Sequence, residues 1–172
     1  MKRRLTILAL TALAVVTLIS FVSTVTSPAH AGGATQISGI AYFAEGGECT
    51  DPENDSADFA NLMTDDLENY LYVFIESVEV SPSGTVRERG HETFVGSYKN
   101  KSGTFKTTYL FTAKFTSVPY RSPQKFGRCQ HPIVADSGTG VFDGVTGRLD
   151  LRDNIDEEGN AVNFPYRGHL RW

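Results

Sequence analysis

Arg87-Glu88-Arg89-Gly90-His91-Glu92-Thr93-Phe94 is the segment of this chain richest in groups that can move protons. On an extended strand side chains alternate, so Glu88, Gly90, Glu92 and Phe94 share one face while Arg87, Arg89, His91 and Thr93 share the other. If Phe94 faces an apolar interior, both carboxylates face it too, and Glu76 on the preceding strand is expected to join them. Carboxyls gathered in an apolar pocket are held toward their neutral form and serve as general acid or base. Glu76, Glu88 and Glu92 are therefore the candidate catalytic residues. The competing arrangement has these charges solvating an outer face, or pairing across strands with Arg87 and Arg89.

Other chemistries find less support in the residues. His91, His131 and His169 remain once the N-terminal segment is set aside, and Cys129-Gln130-His131 holds one ligand pair with no second pair at a zinc-site spacing. Asp51 to Asp58 alternates oxygen donors, but it lacks the turn glycine of a calcium loop and has Leu62 at the twelfth position. No Gly-x-Ser-x-Gly elbow occurs, and Gly138-Thr139-Gly140 is followed by neither Lys nor a helical pattern. No metal and no cofactor is expected.

The N-terminus reads as an export signal: Lys2, Arg3 and Arg4, an apolar run from Leu5 to Val25, then Ser27-Pro28-Ala29-His30-Ala31, with cleavage after Ala31. An uncleaved anchor is the alternative. Residues 32–172 then form one domain, secreted or held in the cell envelope and free of the membrane. Removing residues 1–31 takes away three of 16 Lys and Arg and none of 20 Asp and Glu, which leaves a net charge of −7. That balance argues against a nucleic-acid surface. In an oxidising compartment Cys49 and Cys129 are expected to pair, with free or intermolecular thiols as the alternative. Such a bridge would close a loop of about 80 residues and contribute on the order of 4 kcal/mol.

These groups must be positioned by strands. Gln36 to Phe43 reads as one; residues 45–66 have loop chemistry, with roughly helical spacing from Phe59 to Leu67. Asn69 to Val80, Thr85 to Tyr98 and Thr104 to Val118 form a long meander turning at Ser81–Gly84 and Asn100–Gly103. In the third of these strands Phe105, Thr107, Tyr109, Phe111, Ala113 and Phe115 share a face. Residues 119–126 read as a loop and Gln130 to Asp136 as a shorter strand. A corner with four glycines follows, then a hairpin from Arg148 to Ile155 and Ala161 to Trp172. In the last strand Val162, Phe164, Tyr166, Leu170 and Trp172 share parity. Long strands connected locally favour a closed barrel, which removes exposed edges; a β-sandwich is the alternative.

The corner itself, Gly138-Thr139-Gly140-Val141-Phe142-Asp143-Gly144-Val145-Thr146-Gly147, resembles the Gly-Thr-Gly-x-Phe-x-Gly-x-x-Gly corner of allene oxide cyclase and dirigent barrels. Together with the closing Phe164-Pro165-Tyr166-Arg167-Gly168-His169 strand, it is similar to that of small exported bacterial proteins. The likeness covers Gly138 to Trp172. It implies an all-β, eight-stranded antiparallel barrel with a central cavity open at one end. The plant members of the family are trimers that guide cyclisation or coupling of apolar small molecules, so the resemblance also implies a homotrimer. It carries no catalytic residue onto a numbered position here.

Two function classes follow. One is a non-catalytic barrel binding a small apolar ligand or a partner, with Tyr72, Phe74, Tyr109, Phe111 and Tyr166 as lining aromatics. The other is a cyclase or isomerase acting inside the barrel, with Glu76, Glu88 and Glu92 as acid and base.

Overall fold

Alternating apolar residues and short turns fold this chain into strands that close on themselves. The computed structural model describes residues 33–44, 56–117 and 123–172. The strands are β1 (Thr35–Phe43), β2 (Phe59–Met63), β3 (Leu67–Val80), β4 (Thr85–Tyr98), β5 (Lys101–Phe115), β6 (Gln124–Pro132), β7 (Thr139–Gly140), β8 (Thr146–Arg152), β9 (Asn154–Ile155) and β10 (Ala161–Arg171). Hydrogen-bonded neighbours run β1-β2-β3-β4-β5-β6-β8-β10, and β10 pairs back onto β1 from Thr35↔Leu170 to Ala41↔Phe164. This is an eight-stranded antiparallel barrel, with β7 appended to β5 and β9 to β10. The sandwich alternative is excluded by the ring closure.

Turn chemistry sets the register of the long meander. Lys99 and Asn100 both take positive φ, 50° and 61°, between the paired Tyr98 and Lys101. That is the backbone of a two-residue primed hairpin turn, whose twist matches the flanking strands. The register it fixes places Glu92 opposite Thr107, Gly90 opposite Tyr109 and Glu88 opposite Phe111.

The core fills one end of the barrel. Leu67, Leu71, Phe94, Phe105, Leu149 and Leu170 are fully buried there. The glycine corner seals this end. Gly140 has φ +59°, and a Cβ on it would lie 2.4 Å from the Ser102 carbonyl oxygen, so only glycine brings β7 this close to β5. The corner thereby delivers Phe142, wholly buried, edge-on to Phe105 at 5.0 Å and to Phe94 at 5.6 Å. Trp172 closes the seal by donating its indole N–H to the Val141 carbonyl at 2.9 Å.

Several expectations need correcting. The segment from Phe59 to Leu67, read with helical spacing, holds strand β2, a turn and the first residue of β3, because pairing with β1 and β3 outweighs a weak local period. β6 begins at Gln124, inside the segment read as a loop, and ends at Pro132 rather than Asp136. The Cys49–Cys129 disulfide is not present. Cys129 is a free thiol on β6, turned toward the barrel interior; Cys49 lies outside the described residues. Burial first, and then the charges of Glu92, Glu88 and Asp153, hold the Cys129 thiol well above its ordinary pKa. Both effects oppose the thiolate that disulfide exchange requires. The expected export signal, residues 1–31, also lies outside the described residues.

Candidate functional site

β4 turns Val86, Glu88, Gly90 and Glu92 to the interior, and β5 opposes them with Thr107, Tyr109 and Phe111. Gly90 makes this row workable. A Cβ at Gly90 would sit 2.8 Å from Tyr109 Cε1 and 1.9 Å from the Phe74 carbonyl oxygen. With no side chain there, the Tyr109 ring crosses the strand and its hydroxyl donates to Glu88 Oε1 at 2.9 Å. Burial raises the pKa of Glu88; Asp58 and Glu92 add to the rise and the Tyr109 hydrogen bond opposes it. Tyr109 is itself pushed far up by burial and by Glu88, so its hydroxyl keeps its proton.

Glu92 is held deeper, 2% exposed. Thr107 Oγ1 donates to Glu92 Oε2 at 2.5 Å, and His131 Nδ1 lies 2.6 Å from the same oxygen. Thr107 and His131 are equally buried. A carboxylate only accepts hydrogen bonds, so Nδ1 carries a proton in this contact. Nε2 is buried and has no hydrogen-bond partner among the described residues.

A cavity of about 250 Å3 has His131, Glu88, Glu92, Tyr109 and Cys129 in its wall. At about 30 Å3 per water, the space equals roughly eight waters, smaller than a drug-sized site. It occupies the barrel end opposite the Phe142 seal, where β1 and β5 finish and β6 and β10 begin. Phe43, Phe59, Phe111, Phe115, Leu151 and Phe164 supply its apolar walls. Asn61 stands in the same wall, and its Oδ1 is a second buried polar atom without a partner among the described residues. Near the rim, Gln124 Nε2 donates to Asp153 Oδ2, and burial raises the Asp153 pKa against that bond.

The sequence-expected residues divide between this cavity and elsewhere. Glu88, Glu92, Tyr109 and Phe111 line it. Glu76 does not join them. A bulge between Ile75 and Ser77 leaves it without a partner on β4, and its side chain is 63% exposed and paired with His91 Nδ1 at 2.9 Å. Tyr72 and Phe74 have the opposite parity to the inward Leu71 and Val73. Tyr72 packs outside against Ala57 and Ala60, and Phe74 stacks on the His91 ring at 4.8 Å. Tyr166 belongs to the sealed end: its hydroxyl donates to the Thr64 carbonyl at 2.7 Å and accepts from the Leu67 N–H at 2.9 Å. Val162 also faces out, because a register shift between Ala161 and Asn163 puts Ala161 on the cavity instead.

His131, Thr107, Asn61 and Asp153 are site residues absent from the sequence expectations, in which His131 enters only as a metal ligand. A cue existed: Cys129 and His131 share strand parity. No three of His, Cys, Asp and Glu come together in metal-holding geometry among the described residues. Comparison of the chain with protein-family models, with curated proteins and with solved structures finds no match.

Proposed function

We propose that this barrel binds a small, mostly apolar molecule carrying a hydrogen-bond donor, held in the cavity at its open end. One observation carries the reading: the cavity of about 250 Å3 has a largely aromatic and aliphatic wall that also carries Glu88, whose Oε1 takes the Tyr109 hydroxyl at 2.9 Å. Glu88 keeps acceptor capacity beyond the Tyr109 bond, so an occupant that donates to it gains a hydrogen bond in an apolar surround. The apolar walls supply affinity and the polar atoms supply orientation.

This reading places the chain with the allene oxide cyclase and dirigent barrels, on the strength of the glycine corner and the eight-strand closure. It includes export directed by residues 1–31 and a homotrimer like that of the plant family members. The test uses 4-ethylphenol as the probe, an apolar ring with one donor. Ligand-observed NMR is expected to show binding to the protein, and Phe111→Trp, which fills the cavity, to weaken it at least tenfold. Equal binding by the filled variant, or no binding by the parent protein, refutes the reading.

A further inference from the structure

The charge in the cavity wall has one sign. Glu88, Glu92 and Asp153 stand in it, and no Lys or Arg does among the described residues. Strand alternation accounts for the exclusion: Arg87 and Arg89 on β4, Arg128 on β6 and Arg152 on β8 have the outward parity and are exposed. Glu92 is already engaged. Thr107 donates to its Oε2 at 2.5 Å and His131 Nδ1 lies 2.6 Å from the same atom, so Thr107 positions the pair. Both side chains of that pair are at most 3% exposed, so it contributes to the field without touching an occupant.

Glu88 and Asp153 differ from Glu92. Each lines the cavity, is only half-buried and accepts one side-chain hydrogen bond, from Tyr109 at 2.9 Å and from Gln124 respectively. A carboxylate has about four lone-pair sites, so each keeps acceptor capacity for an occupant. Two glycines make room for these acids. Gly90 lets Tyr109 reach Glu88, and Gly127 on β6 admits Asp153, whose Oδ2 a Cβ at Gly127 would overlap. The two carboxyls act on one region of the wall, because Cys129 feels the charges of both. Burial raises the pKa of each, the signature of negative charge held in an apolar surround without a counter-ion. The rings beside them favour a cation as well. Phe111, Phe115, Phe164 and Tyr109 line the same space, and the face of an aromatic ring attracts an ammonium group.

We infer that the occupant is a small organic amine bound as its ammonium ion, with its nitrogen at Glu88 and Asp153 and its hydrocarbon part among the aromatic rings. This rests on the binding reading above and names the class of ligand. A primary ammonium has three N–H donors, enough to engage both carboxylates at once. A neutral donor of the same shape leaves the negative charge of the wall uncompensated.

The probes are 2-phenylethylamine and 2-phenylethanol, which share a carbon skeleton and differ in charge. At neutral pH, calorimetric titration is expected to show the amine binding about tenfold tighter or more, the margin of a charge-assisted over a neutral hydrogen bond. Glu88→Gln keeps an acceptor for Tyr109 and removes the charge. It is expected to weaken the amine by about fivefold or more and to leave the alcohol within about twofold.

Should that variant fail to fold, proton release by the parent protein decides. At pH 4.5, the ordinary glutamic acid value, burial keeps Glu88 more than half protonated, and Asp58 and Glu92 push the same way. Tyr109 and Cys129 hold their protons throughout, and His131 stands against Glu92. Pairing with an ammonium must therefore release protons, read by titration in buffers of different ionisation enthalpy, whereas the alcohol releases none. A protein that binds 4-ethylphenol but shows no preference for the amine, or releases no protons with it, overturns the ammonium inference and leaves the binding reading intact. Amine binding that Phe111→Trp leaves unchanged also overturns it, because the cation then sits elsewhere. A protein that binds neither 4-ethylphenol nor the amine defeats both.

Discussion

Replacing Thr107 with Val tests whether the Glu92–His131 pair is held by hydrogen bonding rather than by packing. Thr107 is wholly buried, and its hydroxyl donates to Glu92 Oε2 at 2.5 Å. Val keeps the shape and removes the donor, leaving a buried carboxylate oxygen with His131 alone. A hydrogen bond to a charged group contributes about 1.5–3 kcal/mol. Thr107→Val should therefore lower unfolding free energy by about that amount, or the melting temperature by roughly 5–10 °C for a domain of this size. Thr107→Ser supplies the opposite perturbation, since it keeps the donor and loses one methyl, at a cost of about 1 kcal/mol. Urea unfolding of the two variants, and of each combined with Glu92→Gln, isolates the pairwise interaction; the double-mutant coupling should exceed 1 kcal/mol. If Ser costs more than Val, or if the coupling is near zero, Thr107 acts only as filler and the positioning argument fails.

Three further outcomes follow from the same structure. Phe142→Ala should cost about 3–5 kcal/mol, because it empties the sealed end of a wholly buried ring, while leaving 4-ethylphenol affinity within twofold; calorimetry and NMR titration check the two halves. Burial raises the native pKa values of Glu88 and Asp153 above their ordinary 4.5 and 3.8, so the native state holds these protons more tightly than the unfolded chain. The stability they contribute is present below the ordinary values and is lost as pH rises through the raised ones. Urea midpoints should therefore fall across that window, and Glu88→Gln should flatten the slope; an unchanged slope counts against the assignment. Asp156, held low by the Asn160 N–H, acts in the opposite sense at more acidic pH. Finally, Glu76→Gln should change stability by less than about 1 kcal/mol and leave probe binding untouched, since the Glu76–His91 pair is exposed on the outer face.

Much of the architecture was legible because it depends on short-range rules. The β5 alternation of Phe105, Thr107, Tyr109, Phe111 and Ala113 gave its inward face directly, as did the β4 parity of Glu88, Glu92 and Phe94. Errors arose where one extra residue or an uncued turn changed the count. The β3–β4 turn and the Gly103 signal were visible, but the second hairpin turns at Lys99-Asn100, two residues that take positive φ without glycine. On β3, the aromatic run Tyr70, Tyr72, Phe74 suggested a core face. The interior instead took the aliphatic Leu71 and Val73, and the aromatic row was covered from outside by Ala57 and Ala60.

By itself the sequence determined that the chain is a set of long antiparallel strands, where most of them turn, and that two carboxylates of β4 share a face with Phe94. Alternation and glycine placement are local, and local chemistry suffices to set them. Only the tertiary structure decided that the strands leave an open cavity beside the Phe142 seal, that Glu76 stands outside it, and that His131 arrives from β6 to meet Glu92. The Glu92–His131 contact joins residues 39 positions apart, brought together by ring closure and register, and no local rule encodes it.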